Sequence, residues 1–483
     1  MAKKSGRHQR FIPILQMKIT FGGAAKNVTG SKHLIETQGF GLLLDCGFYQ
    51  GKRTDANQQN RNLPFEAKNI NAVILSHAHL DHCGSLPTLV KNGFTGKIYC
   101  TPATAEIAEL ILLDSANIQK HDCEYYNSHL AGKEPIAPIY AQEDVRRVIE
   151  CFKTVDYFSS DGGWTRINKN IRFKFYDAGH ILGSAAVSLE IGENGDVKNL
   201  AFSGDLGRDE LPILRAPENI QEAAQTLIME CTYGNRTHQP MPQIFGKVKD
   251  IVKTAARKKS KIIVPAFSLG RTQELIYILH LLIKQKAIPK LPIYIDTPLG
   301  DKITKIFPRH ARLFDNDFKR EFGDDGNAAF NFNNLKYVQS AAESKSLNGK
   351  SGPFVVVAGS GMCEGGRILH HLKNGIGNAD NIVLITGFQA ENTLGRKILE
   401  KQTPVKIFDR WYDVRAKIMV LNELSAHADR EDLLNYAANI KGLNTLFLVH
   451  TETPQAEAFA QIARQSLPSV TVNIPEFSQS FEL

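Results

Sequence analysis

At 483 residues the chain exceeds the ~250 to 300 residues at which a single hydrophobic core stops growing, so two or more domains are expected. With 42% hydrophobic and 22% charged residues it has the ordinary composition of a soluble globular enzyme, and no uninterrupted apolar run approaches the ~18 to 20 residues of a membrane span. The net charge of +8 is modest, but Lys3, Lys4, Arg7 and Arg10 crowd a basic tail over 1–16 that favours an anionic partner.

The N-terminus has basic residues without an apolar signal core or a small-residue cleavage site. Cys46, Cys83, Cys100, Cys123, Cys151, Cys231 and Cys363 form no CxxC pair. Both features predict a cytoplasmic protein with reduced, mostly buried thiols. Residues 17–21 alternate as a half-buried strand ending at Gly22-Gly23, and 33–37 and 41–45 read as two more strands. Asp45 closes the third beside Cys46-Gly47. A carboxylate there serves as a turn former or as an outer partner for a metal-bound histidine, and the residues alone favour the turn.

An apolar run at 72–75 then delivers His77-Ala78-His79-Leu80-Asp81-His82, the stretch that organises the chain. Imidazole nitrogen and carboxylate oxygen are the donors that a borderline divalent metal such as zinc selects. Three imidazoles and a carboxylate on one strand-end loop can hold two ions close together. The adjoining Cys83 ranks below the histidines as a ligand, because the loop already supplies enough donors.

A helix is expected over 102–117, opened by a threonine cap and a proline. Residues 118–165 are polar and aromatic, with helical character at 141–152, and read as an insertion over the active face rather than core. Residues 173–180 form a strand running into a small-residue turn that ends at His180. Residues 200–205 do the same with Asp205, and 226–231 puts Glu230 at the end of another apolar run. Any one of these is a common turn residue. Their recurrence is the signal, since strand-end loops converge on one edge of a sheet, where sites are built.

Between about 235 and 423 the texture changes to strand, loop and helix units that predict a parallel-sheet α/β domain. Its loops carry Phe267-Ser268-Leu269-Gly270-Arg271, Gly359-Ser360-Gly361 with Gly365-Gly366-Arg367, and a stretch through Gln389 and Glu391 to Gly395-Arg396. Glycine-rich loops that open onto helices offer N–H groups to phosphate, and Arg271, Arg367 and Arg396 add charge; close backbone packing accounts equally well for any one loop. None has the GK[ST] of a Walker A loop or a complete dinucleotide fingerprint, so nucleotide triphosphate hydrolysis is not favoured. His370-His371 lies within a helix and is expected to be partly exposed. From about 424 the first style returns, with Ser425-Ala426-His427-Ala428-Asp429 and a strand at 445–450 ending in His450.

These motifs resemble the β-CASP nucleases of the metallo-β-lactamase superfamily over nearly all of 17–483, most closely the bacterial and archaeal relatives of the cleavage and polyadenylation endonuclease. The hexapeptide at 77–82 is shared across that superfamily. The ordered set Glu230, His427 within Ser-Ala-His-Ala-Asp, and His450 is similar to the β-CASP branch, as are 360–367 (SGMCEGGR) and 387–396 (GFQAENTLGR). The resemblance implies an α/β fold: an αββα sandwich over 17–234 and 424–483, interrupted by an inserted β-CASP domain over 235–423, with single-stranded RNA gripped between the two. It implies two zinc ions, one held by His77, His79 and His180, the second by Asp81, His82 and His450, with Asp205 bridging. Asp45 would orient the metal loop, and Asp81, His427 and Glu230 form the implied catalytic set. In it His427 is the general acid and Glu230 orients it. Arg271, Ser360, Gly361 and Arg396 are the implied RNA contacts.

The implied reaction is hydrolysis of RNA phosphodiester bonds, with an endonuclease favoured. Two ions ~3.5 to 4 Å apart lower the pKa of a shared water toward ~7 and clamp the phosphoryl oxygens during in-line attack. The bond from O3′ to phosphorus breaks, leaving a 3′-hydroxyl and a 5′-phosphate. One departure stands out, since the family commonly has glycine after the last histidine and this chain has Thr451, which puts the local loop shape and substrate fit in doubt. A 5′-exoribonuclease and a non-catalytic RNA-binding subunit are the alternatives; inactive partners typically lose ligands, and none is lost here. Hydrolysis of a small ester is disfavoured, because such a substrate needs no second cleft wall. A homodimer remains open, and no membrane partner is expected.

Overall fold

Two seven-stranded sheets face each other across the principal core. The computed structural model describes residues 16–51, 53–129, 134–158, 163–193, 195–387, 389–390, 392–421 and 424–483. Residues 1–15 of the basic tail, Phe388 and Glu391 lie outside them. The first sheet runs Ser480–Glu482, Lys18–Phe21, His33–Thr37, Phe40–Leu44, Ile70–Ile74, Lys97–Cys100, Phe152–Thr154. The second runs Thr471–Asn473, Thr445–Val449, Thr226–Glu230, Asp196–Phe202, Ala185–Glu193, Ile171–Asp177, Thr165–Arg166. Aromatic side chains interlock between them, with Phe21 5.0 Å from Phe447 and Tyr99 5.4 Å from Phe173 between ring centroids.

Helices cover both outer faces. Pro102–His129 and Gln142–Cys151 lie on the first sheet through Ile107, Leu112, Val145 and Val148, while Arg430–Asn439 and Thr453–Ser466 cover the second through Leu433 and Phe459. The result is an αββα sandwich.

Parallel pairing decides where the site forms. Phe202 pairs with Ile228 and Ile228 with Phe447, so three strands end together and release Asp205, Glu230 and His450 side by side. Across the sandwich, Ile70–Ile74 pairs in parallel with both neighbours and ends just before the metal loop.

A third, six-stranded sheet is parallel throughout, in the order Leu335–Tyr337, Ile293–Asp296, Phe354–Ala358, Lys261–Pro265, Ile382–Ile385, Lys417–Val420. Its central strands Phe354–Ala358 and Ile382–Ile385 are apolar and buried along their whole length because both faces are covered. Ile262 and Val264 pack with the helices Met241–Lys258 and Arg271–Lys284, whereas Ile263 packs with Ile368–Gly375 on the other face. This domain meets the sandwich through ion pairs from Arg309 to Glu106 and from Arg312 to Asp156, with His310 Nε2 3.1 Å from Glu106 Oε1.

Some expectations need correcting. The helix at 102 continues to His129, and its later turns are held by the returning segment, where Tyr140 donates to Ser115, Ile139 to Gln119 and Ile136 to Asn127. The stretch 118–165 is not simply an insertion: Tyr140, Val145, Val148 and Tyr157 are buried in the core, and Phe152–Thr154 is an edge strand of the first sheet. His371 is buried rather than exposed, because its Nε2 reaches Asp296 at 2.6 Å; its neighbour His370 is exposed. Among the described residues no helix is long and apolar enough to cross a membrane. No disulfide forms among them, and Cys46, Cys83, Cys100, Cys231 and Cys363 are buried.

Candidate metal centre

The metal loop is built tightly against the turn at Asp45. A Cβ on Gly47 would lie 1.5 Å from the Asp81 carbonyl oxygen, so only glycine admits this approach. The helical turn Leu80–Cys83 then presents Asp81 and His82 two and three residues beyond the extended His79. Four donor atoms converge on one side: His77 Nε2 is 3.1 Å from His79 Nδ1, His180 Nε2 is 3.3 Å from the same atom, and Asp205 Oδ2 is 3.5 and 3.6 Å from the Nε2 atoms of His77 and His180. Bonds of ~2.0 to 2.1 Å to a tetrahedral zinc would separate neighbouring donors by about 3.3 Å, so the set fits such an ion.

The second cluster is Asp81, His82 and His450. His450 Nε2 stands 3.5 Å from Asp81 Oδ2, and His82 Nε2 is 3.2 Å from the other Asp205 oxygen, Oδ1. Asp205 thus faces one cluster with each oxygen. Among the described residues, His82 Nε2, His450 Nε2 and Asp205 Oδ1 are buried without a hydrogen-bond partner, and a cation held by Asp81, His82 and His450 would satisfy the two imidazole nitrogens.

Electrostatics agrees with this division. Burial, helped by neighbouring imidazoles, pushes His77 and His180 well below the usual histidine range, and burial pushes His79 down to about 4; neutral imidazole is the ligating form. For His82 burial acts against the charge, but Asp205 and Asp45 outweigh it and hold the imidazole well above its ordinary value. His450 is raised against burial by Asp205 and Asp81. Asp205 is held well below the carboxylate range, with His450, His82 and His77 overcoming its burial. The carboxylates of the second cluster therefore demand positive charge, as a divalent ion would supply.

Asp45 is more than a turn former. Fully buried at φ +59°, it accepts from the Ser76 N–H at 2.7 Å and the Ser76 hydroxyl at 2.9 Å, and its Oδ2 lies 2.7 Å from His82 Nδ1. On the far side Glu230, also fully buried, accepts from the Leu206 N–H at 2.7 Å, and its two oxygens lie 2.9 and 3.0 Å from His427 Nδ1. His427 is close enough to pair with Asp205 and His450 as a third donor group.

Residues not singled out in the sequence complete the frame. Thr232 Oγ1 lies 3.0 Å from His450 Nδ1, Ser76 Oγ lies 3.0 Å from His77 Nδ1, and His238 Nε2 lies 3.2 Å from the His427 carbonyl. Ser76 and Thr232 each sit within two positions of a residue already singled out, which is the only sequence signal for them. Cys83 is not a ligand, since its thiol donates to the Ala78 carbonyl. Thr451 does not strain the loop: the positive φ of +50° belongs to His450, and Thr451 is buried with its hydroxyl donating to the Glu452 carbonyl.

In the inserted domain, the loop before Arg271 touches the metal loops. A Cβ on Gly270 would meet Ile181 Cγ2 at 3.4 Å, one residue from His180. Arg271 is buried in an ion pair with Glu274, Arg367 Nη1 donates to Asp296 at 2.6 Å, and Arg396 Nε donates to Glu400 at 2.5 Å. The Ser360 hydroxyl accepts from the Glu364 and Gly365 N–H groups of its own loop, and Gly361 packs on the Phe267 ring.

Comparison with known proteins adds three domain matches: a metallo-beta-lactamase superfamily domain over 34–195, a Beta-Casp domain over 272–398, and a Zn-dependent metallo-hydrolase RNA specificity domain over 411–475. The chain is 33% identical over 446 residues to "Ribonuclease TTHA0252" of Thermus thermophilus, covering 92% of this chain and 96% of that one. It is 29% identical to an "RNase J-like protein" of Methanocaldococcus jannaschii, covering 95% of this chain and 97% of the relative. It is 31% identical to "Transcription termination factor FttA" of Methanothermobacter thermautotrophicus, covering 88% of this chain but 65% of that longer protein. A crystal structure of a protein of unknown function from Enterococcus faecalis shares the fold with a TM-score of 0.53 at 12% identity, over 97% of this chain and all of that one.

Proposed function

Because the chain belongs to the β-CASP family of the metallo-β-lactamase superfamily, whose members include metal-dependent RNA-hydrolysing nucleases, we propose that it is an endoribonuclease acting on single-stranded RNA. The observation that carries this reading is the pair of donor clusters joined through Asp205, with His427 and Glu230 beside them. Two divalent ions held by these clusters, zinc by donor chemistry, would supply Lewis-acid activation of water and would neutralise phosphoryl charge.

The protein's own groups do the rest. His77, His79 and His180 hold one side of the centre; Asp81, His82 and His450 hold the other; Asp45 keeps His82 in orientation through Nδ1. Glu230 fixes His427 by accepting at Nδ1, which leaves Nε2 to carry a proton. As the water oxygen bonds to phosphorus and the P–O3′ bond breaks, the electron pair leaves on O3′ and takes that proton, giving a 3′-hydroxyl and a 5′-phosphate.

A circular single-stranded RNA tests the endonuclease reading, because it offers no end. Zinc-loaded protein should linearise the circle, and His427→Ala should not. Intact circles alongside degraded 5′-monophosphorylated linear RNA would establish a 5′-exonuclease instead, while no cutting of either RNA would point to a binding subunit.

A further inference from the structure

Lys32 is a buried cation that forms no ion pair with a carboxylate among the described residues. The residue is 4% exposed, and among the described residues its ammonium donates to the carbonyl oxygens of Gly30, at 3.4 Å, and Gly47. Burial lowers its pKa to about 8, so it still carries charge at neutral pH. Desolvating an ammonium is costly unless an anion compensates, and neither donor cluster of the metal centre lies beside this one.

The same lysine lines a cavity of about 240 Å³, walled also by Gly22, Gly23, Asn27, Asn62 and Phe477. Phe477 is 56% exposed and is carried on a turn that the ion pair from Lys26 to Glu476 ties down. Asn27 Oδ1 accepts from the N–H and hydroxyl of Thr29, both at 2.9 Å, which leaves the Asn27 amide N–H groups to donate. Asn62 donates to the Gln58 carbonyl at 3.0 Å, which leaves its oxygen to accept. The cavity therefore combines a cation, an exposed aromatic face and complementary amide groups. It is smaller than the ~300 Å³ at which sites for drug-sized ligands begin.

The cavity adjoins the metal centre through the backbone. Ala24, on its wall, accepts from the His450 N–H at 2.7 Å, and Ser31, next to Lys32, donates its N–H to the Asp81 carbonyl at 2.9 Å. We propose that this cavity holds one nucleotide of the RNA strand beside the scissile bond, its phosphate facing Lys32, its base stacked on Phe477 and its edge read by Asn27 and Asn62. The inference rests on the ribonuclease reading above and names a nucleotide subsite for it.

Binding tests the subsite apart from turnover. The full chain carrying His427→Ala is titrated into a short fluorescein-labelled RNA in which one abasic nucleotide is walked along the strand. One abasic position should weaken binding about tenfold, as loss of a base stacked on an aromatic ring does. Adding Phe477→Ala should weaken intact RNA by about the same factor, and the RNA abasic at that position should then bind both proteins equally. A methylphosphonate at the adjoining linkage should weaken the parent and leave Lys32→Gln unaffected; if Lys32→Gln fails to fold, the surface variant Phe477→Ala decides alone.

Independent losses at every position, or intact RNA bound equally well by Phe477→Ala, would overturn the subsite. So would competition by inorganic phosphate with no dependence on position, which would mark a simple anion site. Cutting of intact RNA by the unsubstituted chain without a coupled position removes the subsite and leaves the nuclease. Coupled binding without cutting does the reverse.

Discussion

Replacing Glu230 by glutamine isolates the orienting group of the proposed general acid. The side chain is fully buried, and its two oxygens receive the Leu206 N–H at 2.7 Å, the Thr232 N–H at 3.3 Å and His427 Nδ1 at 2.9 and 3.0 Å. Glutamine keeps the shape and one acceptor oxygen, which can stay on Leu206 and His427. Its amide nitrogen must then face the Thr232 N–H, donor against donor. The negative charge that favours a protonated imidazole is lost as well. A hydrogen bond to a charged group is worth roughly 1.5 to 3 kcal/mol, which predicts a single-turnover rate lower by roughly 10- to 150-fold. The diagnostic assay compares an ordinary RNA linkage with one in which sulfur replaces the departing O3′. A thiolate leaves without a proton, so Glu230→Gln and His427→Ala should cut the sulfur-bridged RNA at nearly the parent rate. Equal defects on both linkages, with metal content unchanged, would refute the assignment of His427 and Glu230 to leaving-group protonation.

Metal analysis should find two zinc ions per parent chain; His180→Ala should lose one, His450→Ala the other, and Asp205→Ala should weaken both. Asp45→Asn should lower affinity at the His82 cluster by about 10- to 100-fold in chelator competition, the usual effect of altering a group that orients a metal-bound histidine. In the inserted domain, Asp296 is fully buried and takes the Ser344 hydroxyl at 2.5 Å, and Arg367 and His371 at 2.6 Å each. Asp296→Ala leaves these groups uncompensated and should cost about 3 to 5 kcal/mol of that domain's stability in urea unfolding. Burial pushes the Asp177 carboxyl from 3.8 up to about 6. The native state therefore holds this proton more tightly than the unfolded one, so the associated stability is complete below ~3.8 and lost as pH rises through about 6. Between pH ~4 and ~7 the parent should fall relative to Asp177→Asn by at most about 3 kcal/mol in denaturant titrations, and parallel pH profiles would contradict this.

How legible each part of the site was depends on how far apart its contacts lie in the chain. The candidate donors His77, His79, Asp81 and His82 fall within six residues, so their chemistry could be read directly, and His180, Asp205, Glu230 and His450 stood out by their recurrence after apolar runs. The groups that orient them did not. Thr232 reaches His450 across 218 positions, and His371 is buried only because Asp296, 75 positions away, ends a neighbouring strand. The helix to His129 outran its pattern because its last turns leave apolar residues such as Ile118 and Tyr125 exposed, so no periodic buried stripe marks them.

The arginines of the glycine-rich loops sharpen the same point for RNA binding. Arg271 pairs with Glu274 and Arg396 with Glu400, at the three- and four-residue spacings that place side chains together on a helix, so both pairs were readable in the sequence. Arg367 is taken by Asp296, which only the fold reveals. A cation already matched by a carboxylate of its own domain has less to gain from a phosphate, since the new contact must displace the old one. Lys32 is the opposite case: its side chain is buried, its partners are neutral carbonyls, and an anion entering beside it displaces no ion pair. The missing counter-charge at Lys32, rather than the number of basic residues in a loop, is what singles it out as the proposed phosphate contact.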